Sequence, residues 1–207
     1  MKICEIFRSI QGEGKTIGFP TLFIRTTGCN LQCSWCDTMY AMEGGRELSV
    51  GDIRELAEDE EHICVTGGEP MLQKDCPELL EVLANDGKKV VLETNGSVDL
   101  SKVPSSDRII ISMDIKCPSS GMQDRMLFDN IGLLREKDQL KFILADYADM
   151  SYAIEVMEKY APVCECIFSP VGGMDLEPLA EDVLGRRLPV RVLPQLHKII
   201  WGNRTGV

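Results

Sequence analysis

Cys29, Cys33 and Cys36 fall within eight positions and are spaced C-x3-C-x2-C in the stretch TTGCNLQCSWCDTMYA. Cysteine thiolates bind iron–sulfur clusters and zinc, and the spacing helps to separate the two. Structural zinc asks for a fourth ligand close by, whereas the only histidines, His62 and His197, stand far away in sequence. Three thiolates on a four-iron cube leave one iron without a protein ligand and open to a small molecule. A zinc site or a group of inert thiols is the plainer alternative. Downstream, VTGGEP supplies Gly67 and Gly68, which permit close backbone approach to a ligand, and Glu69, which can accept from a cation. Taken alone it is an ordinary turn from strand to helix; after the cysteines it reads as a second part of the same site.

These residues must be positioned by regular elements. Short β-rich apolar runs at 21–27, 62–67, 88–95, 108–114, 138–144, 164–170 and 190–196 read as strands. Amphipathic segments at 49–60, 75–86, 126–137, 147–160 and 175–185 read as helices, with Ser49 and Asp75 as N-caps and Gly87 at a C-terminus. Alternation of this kind describes βαβ units and a largely parallel α/β sheet. Roughly six repeats fall short of the eight in a full barrel, so an open or partial barrel is expected. Such folds place their sites at the C-terminal ends of strands. Arg25 with the cysteines, TGGEP, ETNG, SMDIKCPSSG, Lys141, SPVGG and PQLHK all lie at or just after a strand, which points to one shared site.

Bulk properties narrow the partners. The 207 residues suit a single domain, 1–207. A net charge of −11 argues against direct nucleic-acid binding, which rests on clustered basic charge. No long apolar run suggests a membrane span and the first residues do not resemble a signal peptide, so a cytoplasmic location is expected. Nine cysteines in a reducing compartment favour metal or redox chemistry over disulfides. Cys4 and Cys64 sit in strand-like apolar runs as small hydrophobes, and Cys164 and Cys166 share one strand face, where core thiols are expected over a second cluster.

C-x3-C-x2-C with Trp35 before the last cysteine resembles the signature of radical S-adenosylmethionine (SAM) enzymes. That resemblance implies a partial (β/α)6-type barrel with a modified, shortened helical layer, and a 4Fe-4S cluster whose open iron chelates SAM. One electron then yields a 5′-deoxyadenosyl radical that abstracts hydrogen from substrate. The flanks are more specific. EIFRSIQGEGKTIGFPTLFIRTTGCNLQCSWCDTMYA, TGGEPMLQ, ETNGS and PQLHK with WGN resemble the 7-carboxy-7-deazaguanine synthase family over almost the whole chain. The resemblance implies ring contraction of 6-carboxy-5,6,7,8-tetrahydropterin with loss of ammonia, assisted by magnesium. It also implies a homodimer and an electron donor such as flavodoxin or ferredoxin.

The same resemblance carries over roles. For SAM it implies Trp35, Cys36, Asp37, Gly68 and Glu69, with Ser112 and Lys116; SMDIK spaces the last two widely, so Asp114 is an alternative contact. For substrate it implies Ile10, Gln11, Gly12, Glu13, Thr66 and His197, together with Arg25 as a fixed fork for a carboxylate. Thr38 matches the magnesium ligand. Plainer roles stand beside these: a salt-bridged Arg25, a solvent loop at SIQGEG, a rim or core His197, and Thr38 as an N-cap. The tail after PQLHK leaves open whether Val207 reaches the site. Two rivals remain. A glycyl-radical activase shares the cysteine spacing but gives SIQGEG no task, and an iron–sulfur electron carrier leaves TGGEP, ETNG and Arg25 idle.

Overall fold

The structure, a computed structural model, describes residues 1–173 and 175–207. A nine-stranded sheet organises the chain. The strands are β1 (Lys2–Ile10), β2 (Pro20–Thr26), β3 (Arg46–Glu47), β4 (His62–Gly67), β5 (Lys89–Thr94), β6 (Ile109–Ile115), β7 (Gln139–Leu144), β8 (Glu165–Pro170) and β9 (Arg191–Val192). Their order is β3-β1-β2-β4-β5-β6-β7-β8-β9, and the sheet does not close on itself. From β2 to β9 every pairing is parallel, whereas β1 and β3 add antiparallel edges. This is the expected partial barrel.

The helices are few and short: α1 (Val50–Leu56), α2 (Cys76–Asn85), α3 (Tyr147–Tyr160), α4 (Glu177–Arg186) and α5 (Leu196–Trp201). Ser49 caps α1 in a reciprocal box with Asp52, satisfying two backbone donors at once. Helices α1 and α2 bury Ile53, Leu79, Leu80 and Leu83 against Ile24, Ile63, Val65 and Leu92 of one sheet face. On the same face α3 and α4 bury Met150, Ala153, Val156 and Val183 against Met113, Leu140, Phe142 and Phe168.

Three sequence expectations need correction. Residues 126–137 do not form an α-helix; only Phe128–Leu133 coils, as a 3-10 segment. The buried Asn130 amide is the reason: it donates to the Gly96 and Val98 carbonyls and accepts from Leu100 N, tying the segment to the β5–β6 connection. Gly132 further weakens any helix there. The strand expected over 190–196 pairs only at Arg191–Val192, because Pro194 lacks a donor and Leu196 N bonds Gly12 O at 2.9 Å instead. Strand β1, absent from the expected strands except as the run around Cys4, pairs with β2 along most of its length. Among the described residues no helix is long and apolar enough to cross a membrane.

The inner sheet face is layered by the strand period of two. Phe7, Phe23, Cys64, Val91 and Ile110 are successive cross-strand partners and form a small apolar floor. Two residues along, the partners are Glu5 with Arg25 and Thr66, then Glu93 with Ser112 and Gln139. One step higher, Asp114 pairs with Lys141. The polar layers lie at the C-terminal ends of the parallel strands.

Candidate active site

The cysteine loop leaves β2 at Gly28, whose carbonyl accepts from Glu69 N at 2.8 Å. A Cβ on Gly68 would stand 1.8 Å from that carbonyl oxygen, so only glycine lets the GGEP turn dock on the cysteine loop. Glu69 is fully buried and accepts from Thr94 Oγ1, Asn95 N and Met71 N. Burial raises its pKa, against those hydrogen bonds. Its carboxylate therefore braces the turn and does not line the cavity. Asn95 continues the brace, donating to Asn30 Oδ1 at 3.2 Å and to Cys29 Sγ at 3.5 Å.

A cavity of about 290 Å3 opens above these loops, and Cys29, Cys33 and Cys36 form one wall of it. All three thiols are free of disulfides. Leu31 N and Asn95 Nδ2 both donate to Cys29 Sγ, which fixes the position of that sulfur. Among the described residues no three His, Cys, Asp or Glu side chains converge as a single metal ion demands. Three free sulfurs around an open space suit the larger iron–sulfur cube, with a position left for a small ligand. Trp35 stands beside them, its Nε1 bonded to Ser119 Oγ, and Lys116 Nζ lies 5.7 Å from its ring centroid. Asp37, Thr66, Gly68, Asp114 and Lys116 also line this cavity. Ser112 does not. It is 1% exposed, in the layer below, and accepts from Gln139 Nε2 at 2.7 Å.

A second cavity of about 190 Å3 adjoins the first through Glu13, Arg25, Asp37, Thr38 and Glu93, which line both. Ile10, Gln11, Gly12 and His197 belong to this second part. Gly12 lies so close over His197 that a Cβ would stand 2.2 Å from Nδ1. The SIQGEG segment is thus no solvent loop. Arg25 donates through Nε to Glu5 Oε1 at 2.8 Å, and the Phe7 and Tyr40 rings lie under 6 Å from its guanidinium. Among the described residues its two terminal nitrogens make no hydrogen bond, so the salt bridge leaves a fork free. Thr38 does hold the N-cap position of a short 3-10 turn, yet its hydroxyl makes no capping bond and lies 3.6 Å from Cys36 Sγ. The tail folds back, so that Gly202 to Val207 line the second cavity.

Several wall residues lie in segments that the sequence placed at the shared site without assigning them a role. Glu93 accepts from Gln11 Nε2 and from Thr66 Oγ1. Lys141 Nζ donates to Glu13 Oε2 at 2.5 Å and lies 3.1 Å from Asp114 Oδ1. Gln195 Nε2 donates to Glu13 Oε1 at 2.7 Å, and Lys198 pairs with Asp37 at 3.4 Å. Burial acts to raise the Glu13 pKa, but Lys141, His197 and Gln195 outweigh it and bring it down to about 2. Burial likewise acts to lower the Lys141 pKa, and Asp114, Glu13 and Glu93 hold it well above the usual lysine value. The groups stay ionised together. A lone charge in each apolar strand, Glu93 in VVLETN and Lys141 in DQLKFIL, was the available signal.

The radical SAM superfamily model matches residues 23–126. The chain is 41% identical over 209 residues to the 7-carboxy-7-deazaguanine synthase of Thermoplasma acidophilum, covering 100% of both. It is 45% identical over 206 residues to the synthase of Methanospirillum hungatei, covering 97% of this chain and 85% of that one. Its fold is similar to the crystal structure of QueE from Escherichia coli, with a TM-score of 0.77 at 23% identity over 95% of this chain and 94% of that one. At 41–45% identity over nearly its full length to these synthases, and with the superfamily model spanning the cysteine loop and the GGEP turn, the chain belongs to the 7-carboxy-7-deazaguanine synthase family of radical SAM enzymes.

Proposed function

We propose that this enzyme converts 6-carboxy-5,6,7,8-tetrahydropterin into 7-carboxy-7-deazaguanine with release of ammonia, as a single catalytic domain. The observation that carries the reading is the wall shared by the two cavities: Arg25, with its fork free, and Glu13 line both, and the three thiols line one of them. The substrate has a carboxylate and a flat edge of donors and acceptors. Arg25 complements the first bidentately. Gln11, Glu13 and Thr66, with Ile10, Gly12 and His197 around them, complement the second.

In this reading Cys29, Cys33 and Cys36 hold the 4Fe-4S cluster. Trp35, Asp37, Gly68, Asp114 and Lys116 hold SAM, while Glu69 and Ser112 support those residues from behind. When bound, cluster and SAM supply the adenosyl radical that takes a hydrogen from the substrate. Thr38, which lines both cavities and whose hydroxyl makes no capping bond, is the protein ligand to magnesium, whose remaining positions fall to water and substrate oxygen. The tail ending at Val207 excludes water from the substrate side. A small electron-transfer protein such as flavodoxin or ferredoxin is the reductant. The enzyme acts as a homodimer in the cytoplasm, with neither nucleic acid nor membrane as a direct partner.

The test is anaerobic turnover of reconstituted protein with dithionite, SAM, magnesium and the tetrahydropterin, followed by mass spectrometry. A product lighter by one ammonia, without stoichiometric 5′-deoxyadenosine, is expected. SAM cleavage with the pterin untouched would discard this substrate. No cleavage at all would reopen the electron-carrier alternative.

A further inference from the structure

Lys141 is 4% exposed and lies between two carboxylates on the inner sheet face. Its two contacts are unequal. Glu13 Oε2 receives a hydrogen bond, whereas Asp114 Oδ1 is buried, close to the ammonium, and lacks a hydrogen-bond partner among the described residues. The other Asp114 oxygen accepts from Lys116 Nζ at 2.9 Å, and that lysine stands against Trp35 of the cluster loop. At the opposite end, Glu13 Oε1 accepts from Gln195 Nε2. Glu13 lines both cavities; Asp114, Lys116 and Trp35 line only the one holding the cysteines. One ammonium is thus divided between a carboxylate on the cluster side and a carboxylate on the wall shared with the second cavity.

We propose that Lys141 is a positioning residue that makes the two sides of the cavity bind their ligands cooperatively; the inference rests on the synthase reading above. SAM brings an ammonium and ribose hydroxyls, both able to engage the Asp114 carboxylate where it lines the cavity. Once that carboxylate is engaged, Lys141 is released to Glu13 alone. Glu13 is then held as an anion in one orientation, ready to accept from the N–H groups of a pterin edge. Charges interact strongly in such a buried setting, so a small shift of one ammonium is felt at both carboxylates. Coupling between two equilibria is reciprocal: bound pterin, by occupying Glu13, tightens SAM by the same factor. Lys141 touches no reacting atom in this account.

The probe is 6-carboxypterin, an oxidised fluorescent relative of the substrate that cannot turn over. It is titrated into the anaerobic cluster-loaded enzyme with and without saturating SAM. In the wild type, SAM should tighten its binding on the order of tenfold. Lys141→Arg, which can still reach both carboxylates, should keep that ratio, and Lys141→Met should bring it to one. A lysine with only a structural role would shift both affinities and leave their ratio alone. Lys141→Met leaves two buried carboxylates facing one another and risks unfolding, so Glu13→Gln is the second variant. It retains an acceptor, leaves Lys141 paired with Asp114, and should also bring the ratio to one. A ratio of one in the wild type, or an undiminished ratio in Glu13→Gln, overturns the proposal. Turnover of the tetrahydropterin by wild type is scored separately. Its presence without coupling removes only the role of Lys141, whereas absence of both turnover and pterin binding removes the synthase reading and this inference with it.

Discussion

Two layers of the inner sheet face stand one pleat apart and do opposite things. Phe7, Phe23, Cys64, Val91 and Ile110 form an apolar floor, in which Cys64 and Val91 have little or no exposure. Two residues further along the same strands come Glu5, Arg25, Thr66, Glu93 and Ser112. Backbone geometry and strand pairing are shared, so the difference lies in side chains alone. The floor closes the barrel from below and keeps the dielectric low. The layer above can then hold Glu13, Asp114 and Lys141 ionised at close range, because buried charges persist when each has a partner. A catalytic surface is made here by changing residue class every second position, with no change of fold.

The largest effect should separate thiols by where they sit. Cys33→Ala should abolish reductive cleavage of SAM, because the cavity wall loses one of three sulfurs. Cys164, buried in the outer core, behaves as a small hydrophobe: Cys164→Ala should leave cleavage intact and lower stability by about 1 kcal/mol. Anaerobic assays of 5′-deoxyadenosine and urea titrations of both variants decide it. Equal loss of cleavage in both would sink the assignment of one cluster to one wall.

Within the polar layer, Arg25→Lys keeps the charge and removes the fork. Nε bonds Glu5 while the terminal nitrogens have no partner among the described residues and Arg25 lines both cavities, and a lysine cannot serve both at once. We expect kcat/KM for the tetrahydropterin to fall about 100-fold, mainly through KM. Steady-state kinetics at fixed SAM would show it, and an unchanged KM would return Arg25 to the role of a structural ion pair.

Much of this contrast is readable from sequence. Seven apolar runs mark the parallel strands, and cysteine spacing with TGGEP marks the cysteine-lined wall of one cavity, because both signals are local. Strand β1 was obscured by Glu5 and Arg8, which break its apolar pattern; Glu5 is on the strand because Arg25 faces it across the pairing. The segment 126–137 has helical periodicity, yet the Asn130 amide bonds backbone more than 30 residues away. Lys141 was visible as one charge in an apolar strand, but its partner Glu13 lies 128 residues earlier. No local pattern announces such a pair. Glu69 and Ser112 show the reverse: their motifs were plain in sequence, and only packing reveals that both are buried and line neither cavity.

Below the site, Val91→Ala should cost about 2–3 kcal/mol of stability, since it opens a cavity in the floor that neighbouring strands cannot collapse to fill. At temperatures where the variant stays folded, turnover should change little, because Val91 lines neither cavity. Urea unfolding and kcat measured on one preparation would test both halves. A loss of turnover without a loss of stability would mean that floor and site are not separable as described.

The smallest expected effect concerns the charge that the polar layer holds. Glu13 has its pKa lowered to about 2, where an unfolded glutamate titrates near the usual 4.5. A depressed carboxylate stabilises the fold fully above its unfolded value, and that stability is lost as pH falls toward its folded value. Between about pH 5 and about pH 3 the unfolded chain takes up a proton that the folded chain refuses, so roughly 1–2 kcal/mol should disappear. Other carboxylates titrate in the same range, so the informative quantity is a difference between variants. Glu13→Gln cannot take up that proton, and its unfolding free energy should fall less steeply over this window than that of the wild type. Parallel slopes would mean that Lys141 and Gln195 do not hold Glu13 ionised, and the polar layer would then be as neutral as the floor beneath it.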